Sequence, residues 1–528
     1  MRNLSVPYWL IAALIAFFFV NLGGYLLFDH DEGAFSEATR GMFERGDFIT
    51  TYLNDRVRFD KPILIYWLQG ASMALFGTEV WAFRLPSALA GLSWSLAIFF
   101  FTRRYLDQST AIAAALIAAA ALGINMIAHV ATADALLNAL LAASLLCIYR
   151  YSTDPSNRLL AIIYALMALG VLTKGPVAVA IPLLVAAIFF LWSGKKDALL
   201  QALFYFPGWL LFLAIAAPWY VLEYLAQGQD FIDGFILKHN VSRFNNAMEG
   251  HDGGPLFYVV LLPFILAPFG ALLLRIVPSI RTIRSTAEQP DLLNRYLWIW
   301  FLVVLTLFSL ASTKLPHYIL YGVTPLVILM ARYRTWLSSR WFSLLFPSLF
   351  FALMVAFPLL IPTITASLTN PIEIAAAQRA AEYINQDFAI IAALAWLVAL
   401  ALILWRRLSP WAALILVGGI QTLFVWFVFV PAISEAQQRP VWDAAQFAKQ
   451  LNEPVITQSI DMPSFNVYLG TWTERRSLQP GEVGYGREDR VKSIPHYDVL
   501  FQSGPIVIIR RTDGSQTESP QESSSHEQ

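Results

Sequence analysis

Charged residues are scarce in this chain, and the ones that could do chemistry gather in four short stretches. The first is Asp29-His30-Asp31-Glu32, followed by Glu37, Arg40, Glu44 and Asp47. The second is Phe59-Asp60-Lys61-Pro62, and the third is Lys238-His239-Asn240 with Arg243. The fourth runs from Ser309 to Tyr318 and includes Lys314 and His317. Carboxylates of this kind suit the removal of a proton from an acceptor hydroxyl as it attacks an anomeric carbon. Lysines, an arginine and a tyrosine suit the grip on a phosphate leaving group as its charge grows. A phosphate carried on a lipid explains why such groups would line the edge of a membrane. Each stretch also has a plainer reading. Loop charges at a membrane surface are commonly just solvated. Glu37, Arg40 and Glu44, at i, i+3 and i+7, would line the wet face of a short helix. Lys174-Gly175-Pro176 would be a sharp turn between helices, and His239 a hydrogen-bonded loop residue.

The elements that hold these stretches are mostly apolar helices. Of 528 residues, 57% are hydrophobic and 14% charged, against roughly 25% charged in a soluble domain. Mean hydropathy is +0.57, and apolar runs of the length needed to cross ~30 Å of hydrocarbon recur along the chain. The net charge of +0 gives no sign of a nucleic-acid partner. The lone Cys147 excludes an intramolecular disulfide and a cysteine metal cluster.

Positive residues mark the cytoplasmic side of short loops. An inside N-terminus with about thirteen spans, near 8–28, 83–102, 110–128, 135–151, 159–173, 177–193, 203–221, 255–275, 294–311, 318–332, 341–361, 388–405 and 411–431, puts every basic cluster inside. Those clusters are Arg103-Arg104, Arg150 with Arg158, Lys195-Lys196, Arg275 with Arg281 and Arg284, Arg332 with Arg334, and Arg406-Arg407. All four chemical stretches then fall outside. The first span is read as an uncleaved helix, because its apolar run exceeds a signal peptide's 7–15 residues or so. Segment 62–76, only about 22 Å long as a helix, is assigned to the membrane surface, since a crossing there would flip every later cluster. The expected fold is an all-α polytopic membrane protein: a transmembrane domain over 1–431 with an outside loop at 29–82, then a small periplasmic α/β domain over 432–511. In that domain 454–460 and 505–510 read as strands and 441–451 as a helix. Residues 512–528, rich in Ser, Gln and Glu, read as a disordered tail.

The motifs, in this order, resemble the GT-C glycosyltransferases of the protein O-mannosyltransferase family, in particular the bacterial branch that includes the lipid A aminoarabinose transferases. The resemblance rests on Asp31-Glu32, Phe59-Asp60-Lys61-Pro62, Arg84-Leu85-Pro86-Ser87-Ala88, Leu172-Thr173-Lys174-Gly175-Pro176, Ala217-Pro218-Trp219-Tyr220, His239-Asn240 with Arg243-Phe244, and Ser309 to Tyr318. It implies a GT-C fold, a polyprenyl-phosphate sugar as donor, and an active site facing the periplasm of a bacterial inner membrane. It implies Asp31, with Asp60, as the catalytic carboxylates, and Lys61, Arg243, Lys314 and Tyr318 around the donor phosphate. Glu32, Lys174 and His317 would face substrate, and Asp60 with His239 could hold zinc. The acceptor would be lipid A, another glycan or a protein. Two departures fall near the substrate: Ala34-Phe35 stands where the family has Arg-Tyr, and Asp60 where it has Glu. The competing readings are a transporter or flippase of lipid-linked sugars, and a non-catalytic subunit that presents its C-terminal domain. A transporter would keep its polar groups near the bilayer midplane on broken helices, whereas the charges here collect at loop edges.

Overall fold

The computed structural model describes residues 6–235, 254–284 and 291–513. The chain opens with α1 (Tyr8–Phe19) and then α2 (Asp31–Arg45), the helix that carries the first charged stretch. Asp31 and Glu32 occupy the first turn of α2, where the exposed N–H groups favour negative charge. Gly46, at φ 67°, ends it in the left-handed conformation that glycine tolerates. A two-stranded ribbon, β1 (Tyr52–Leu53) and β2 (Arg56–Val57), leads into α3 (Leu64–Phe76), the apolar helix expected at the membrane surface. The helices α4 (Val80–Tyr105), α5 (Gln108–Ala120), α6 (Leu122–Ala128), α7 (Asp134–Thr153), α8 (Asn157–Lys174) and α9 (Val177–Trp192) follow. The side chains of Asp107 and Ser156 cap α5 and α8 through the N–H groups of Thr110 and Leu159.

Among the described residues, eight helices are long and apolar enough to cross a membrane, or nine if α5 and α6, bent by 64°, make one span. The sequence pattern suggested about thirteen, and the difference lies in how apolar runs are broken. The run at 255–275 divides into Phe257–Ile265 and Gly270–Ile276, and that at 318–332 begins as a tight 3₁₀ turn over Pro316–Gly322. α1 stops at Phe19, and α9 has 16 residues. Toward the C-terminus, Pro410–Leu451 runs on as one long helical stretch.

The last part of the chain adds a four-stranded sheet. Its strands are β3 (Val455–Gln458), β4 (Val483–Arg487), β5 (Tyr497–Ser503) and β6 (Ile506–Arg511), in the order β3-β4-β6-β5. β3 and β4 are parallel, and the other pairs antiparallel. The strands and the helix expected here from the sequence are present, although the helix is the end of the longer Val430–Leu451. One apolar face of this unit packs on itself, through Ile456, Leu478, Val491, Val507 and Ile509, but the other is shared. Val441, Phe465, Tyr485 and Ile508 pack in one buried cluster with Leu27 before α2, Phe83 on α4 and Ala131 before α7. Removing that surface from water, at about 25 cal/mol per Å², ties the C-terminal unit to the segments that flank α2. The expected disordered tail lies outside the described residues from 514 onward.

Candidate active site

The first charged stretch divides into residues that build the fold and two, His30 and Asp31, that are exposed. Glu32 is buried, and each of its oxygens accepts two hydrogen bonds. Oε1 takes Arg84 Nε and the Ala131 N–H, both at 2.8 Å. Oε2 takes Arg84 Nη2 at 2.8 Å and the Phe28 N–H at 3.1 Å. Arg84 in turn donates to the carbonyls of Leu22, Tyr25 and Leu26 and lies over the Tyr25 ring. Glu32, expected at the substrate, is therefore committed to fixing the start of α2. Asp31, one residue earlier, is exposed.

The face of α2 behind Asp31 corrects another expectation. Glu37 and Arg40 do not line a wet face; they are 2% and 6% exposed and form a two-bond ion pair. Arg40 also reaches Glu44 and the carbonyl of Gly470, so the C-terminal unit covers this face. Burial pushes the Glu37 carboxyl up to about 7, against the pull of Arg40.

From Asp31 a row of alternating charges leads inward. Asp31 acts electrostatically on Arg58, whose guanidinium bonds Asp60 Oδ2 at 2.9 Å and Tyr66 Oη at 2.9 Å. Asp60 Oδ1 accepts from Lys61 Nζ at 2.7 Å. Lys61 acts on Asp134, which Lys174 contacts at 2.5 Å and His317 at 3.6 Å. The ammonium of Lys174 also lies 5.6 Å and 6.0 Å from the ring centres of Tyr318 and Tyr321, near enough for cation–π attraction. The structure thus brings Asp31, Asp60, Lys61, Lys174, His317 and Tyr318 together, from segments almost 290 residues apart in sequence. His239 and Arg243 lie outside the described residues. Lys314, expected at the phosphate, instead turns back on its own helix and donates to the carbonyls of Ser309 and Ala311 at 3.0 and 2.7 Å, which suits a cation at a helix C-terminus.

Asp134 is the residue that sequence reasoning missed. It opens α7, where an acid reads as an ordinary first-turn residue, and its partner Lys174 closes α8 some 40 residues later. The pairing of the two ends of an antiparallel helix hairpin was the available signal.

The described residues do not fit a zinc ion. No group of three or more His, Cys, Asp or Glu gathers as a metal would need. The Asp60 carboxylate already holds two cations, Arg58 and Lys61, and their charge opposes a third.

Beside Asp29 and His30 lies a cavity of about 640 Å³. Ile361 and Ala376 give it an apolar wall, and Asp461, Arg475 and Arg490 of the C-terminal unit give it a charged roof. His30 and Arg475 both approach Asp461, at 3.9 and 3.5 Å.

Comparison with known proteins agrees with this architecture. Residues 60–221 match the family described as dolichyl-phosphate-mannose-protein mannosyltransferase. An uncharacterised protein of Aquifex aeolicus is 32% identical over 333 residues, covering 62% of this chain and 73% of that one. The undecaprenyl phosphate-alpha-4-amino-4-deoxy-L-arabinose arabinosyl transferase of Yersinia pestis is 30% identical over 338 residues, and that of Photorhabdus laumondii 28% over 337. Both matches cover 61% of this chain and 59% of the relative's length. The fold is also that of ArnT from Cupriavidus metallidurans bound to undecaprenyl phosphate, with a TM-score of 0.79 over 97% of this chain and 99% of that one at 20% identity.

Proposed function

We propose, from the fact that this chain belongs to the protein O-mannosyltransferase family of GT-C membrane glycosyltransferases, that it transfers a sugar from a polyprenyl phosphate to a hydroxyl at the membrane surface. The observation that carries this reading is the charge row from exposed Asp31 to Lys174. It supports one carboxylate open to an acceptor at one end and cations for a phosphate at the other. In the reaction, Asp31 takes the proton of the acceptor hydroxyl. The acceptor oxygen bonds the anomeric carbon as the bond from that carbon to the phosphate oxygen breaks. The polyprenyl phosphate leaves with its charge held by Lys61 and Lys174, with Tyr318 beside them. Arg243, which the family resemblance puts at the phosphate, joins this set. Asp60 and Asp134 hold the two lysines in place and keep the site from accumulating positive charge before the donor binds.

The positive-residue pattern supports an inside N-terminus, about thirteen membrane segments counting the broken ones, and a site that faces the periplasm of a bacterial inner membrane. Residues 1–431 form the membrane part, with its outside loop at 29–82, and 432–511 a periplasmic α/β domain. The cavity beside Asp29, apolar below and charged above, supports a lipid-linked acceptor with an anionic head, of which lipid A is one example. The names of the arabinosyl transferase relatives make an aminoarabinose donor the first to try. Purified protein in nanodiscs, given a panel of polyprenyl-phosphate sugars and acceptors, should release polyprenyl phosphate with one donor–acceptor pair, and the Asp31→Asn variant should not. Equal slow release by both proteins with every pair would refute the reading.

A further inference from the structure

Asp31 lies between Asp29 and Glu32 in the chain, and these two carboxylates are anchored in different parts of the molecule. Glu32 is anchored in the membrane part, through Arg84 and the Ala131 N–H. Asp29 is anchored in the C-terminal unit. Its Oδ1 accepts the backbone N–H of Ser464 at 2.9 Å, and its Oδ2 accepts the Ser464 hydroxyl. Ser464 is fully buried and opens the short helix Ser464–Leu469, so both of its donors are aimed at one carboxylate. Gly33 shows how close this contact is. A Cβ there would lie 1.9 Å from Asp29 Oδ1 and 2.8 Å from the Ser464 nitrogen. The same helix holds the chain just before the turn, because Tyr468 Oη accepts the Leu27 N–H at 2.6 Å.

We infer that Ser464 is a positioning residue for sugar transfer: by fixing Asp29 it sets where the Asp31 carboxylate stands two residues later. The inference rests on the reading of Asp31 as the base, and it gives the C-terminal unit a part in the reaction. With Glu32 held on the other side, both neighbours of Asp31 in the turn are fixed, and among the described residues no hydrogen bond holds the Asp31 carboxylate itself. Misplacing a reacting group by about 1 Å can cost on the order of a hundredfold in rate.

The test compares full-length variants in nanodiscs. Ser464→Ala should lower kcat by about ten- to a hundredfold, with the donor KM within about twofold of wild type, because the phosphate-binding lysines are untouched. Ser464→Thr, which keeps the hydroxyl, should recover most of the loss. Thr471→Ala removes another bond between the same unit and α2, that to Glu44 at 2.9 Å, and should leave kcat near wild type. Carbodiimide labelling of the Asp31 carboxyl, read by mass spectrometry, asks the same question without turnover. Its rate should change several-fold in Ser464→Ala and not in Thr471→Ala. Wild-type labelling kinetics in Ser464→Ala, or equal losses of kcat in the Ala variants at 464 and 471, would overturn the inference. A wild-type protein that transfers no sugar would count against the proposed reaction alone and would leave the labelling comparison to decide this one.

Discussion

Glu32 and Arg84 meet through two 2.8 Å bonds with both side chains sealed from solvent, at 2% and 0% exposure. The pair joins α2 to α4, and each partner also satisfies backbone groups of the loop that carries Asp31. Taking one member away leaves the other buried and uncompensated, at a cost of about 3–5 kcal/mol. Arg84→Ala should therefore lower the unfolding temperature in detergent and reduce turnover together. A variant with wild-type thermal stability would show that the pair contributes nothing.

Asp31 should behave in the opposite way. Its side chain is exposed and contributes only the small helix-terminus attraction, so Asp31→Asn should change the unfolding temperature far less than Arg84→Ala does. As the general base it should be worth about 10²–10⁴ in kcat. Single-turnover release of polyprenyl phosphate, measured beside a thermal scan, checks both halves of the statement.

Lys174 and Asp134 should separate binding from stability. Lys174→Met should raise the donor dissociation constant by about tenfold or more, the worth of one charge-assisted bond of about 1.5–3 kcal/mol. It should also destabilise the protein, because Asp134 loses its partner. The double variant Asp134→Asn/Lys174→Met should be less destabilised than the sum of the single changes, while its donor affinity stays as low as that of Lys174→Met. Donor titrations and thermal scans on the four proteins give the cycle.

Glu37 carries a pH dependence whose sign follows from its burial. Its carboxyl rises from 4.5 to about 7 in the folded protein. The folded state therefore holds this proton more tightly than the unfolded state does. The stability it contributes is fully present below about pH 4.5 and is lost as the pH rises through about 7. Glu37→Gln should flatten that decline. The difference in unfolding free energy between wild type and variant, followed from pH 4 to 8, reads this one group against all others, and a difference that does not vary with pH would contradict it.

How much of this could be read from the sequence depended on where each partner came from. Asp31, Asp60, Lys61 and His317 stood out because charged groups are rare in an apolar chain and gather at loop edges, whereas Lys174 and Tyr318 gained a role only through the family motifs. Their pairing was not. Arg58, which links Asp31 to Asp60, lies in a loop rich in charges, and nothing local marks it. Nothing near Asp134 marks it, because its partner Lys174 sits at the far end of the next helix. Glu37 and Arg40 have the spacing of a solvated helix face, and only Gly470, 430 residues on, reveals that the face is covered. The spans were legible as apolar runs, but their breaks at Ala121 and around Pro268 were not, since hydropathy is blind to a bend. The sheet was readable from its alternating strands, whereas its docking on Leu27 and Phe83 depends on apolar residues that any helix or loop would carry.

That docking has a consequence for how the molecule is made. Leu27 and Phe83 leave the ribosome more than 350 residues before Val441 and Phe465, the side chains that bury them. Contacts that distant form late. Throughout synthesis the membrane part can assemble while the turn at Asp31 waits for its cover. A chain cut short before Ser464 would carry a nearly complete bundle in which Asp29 has lost its anchor. The anchor of Asp29 and the cover over Leu27 and Phe83 therefore arrive only with the last fifth of the protein.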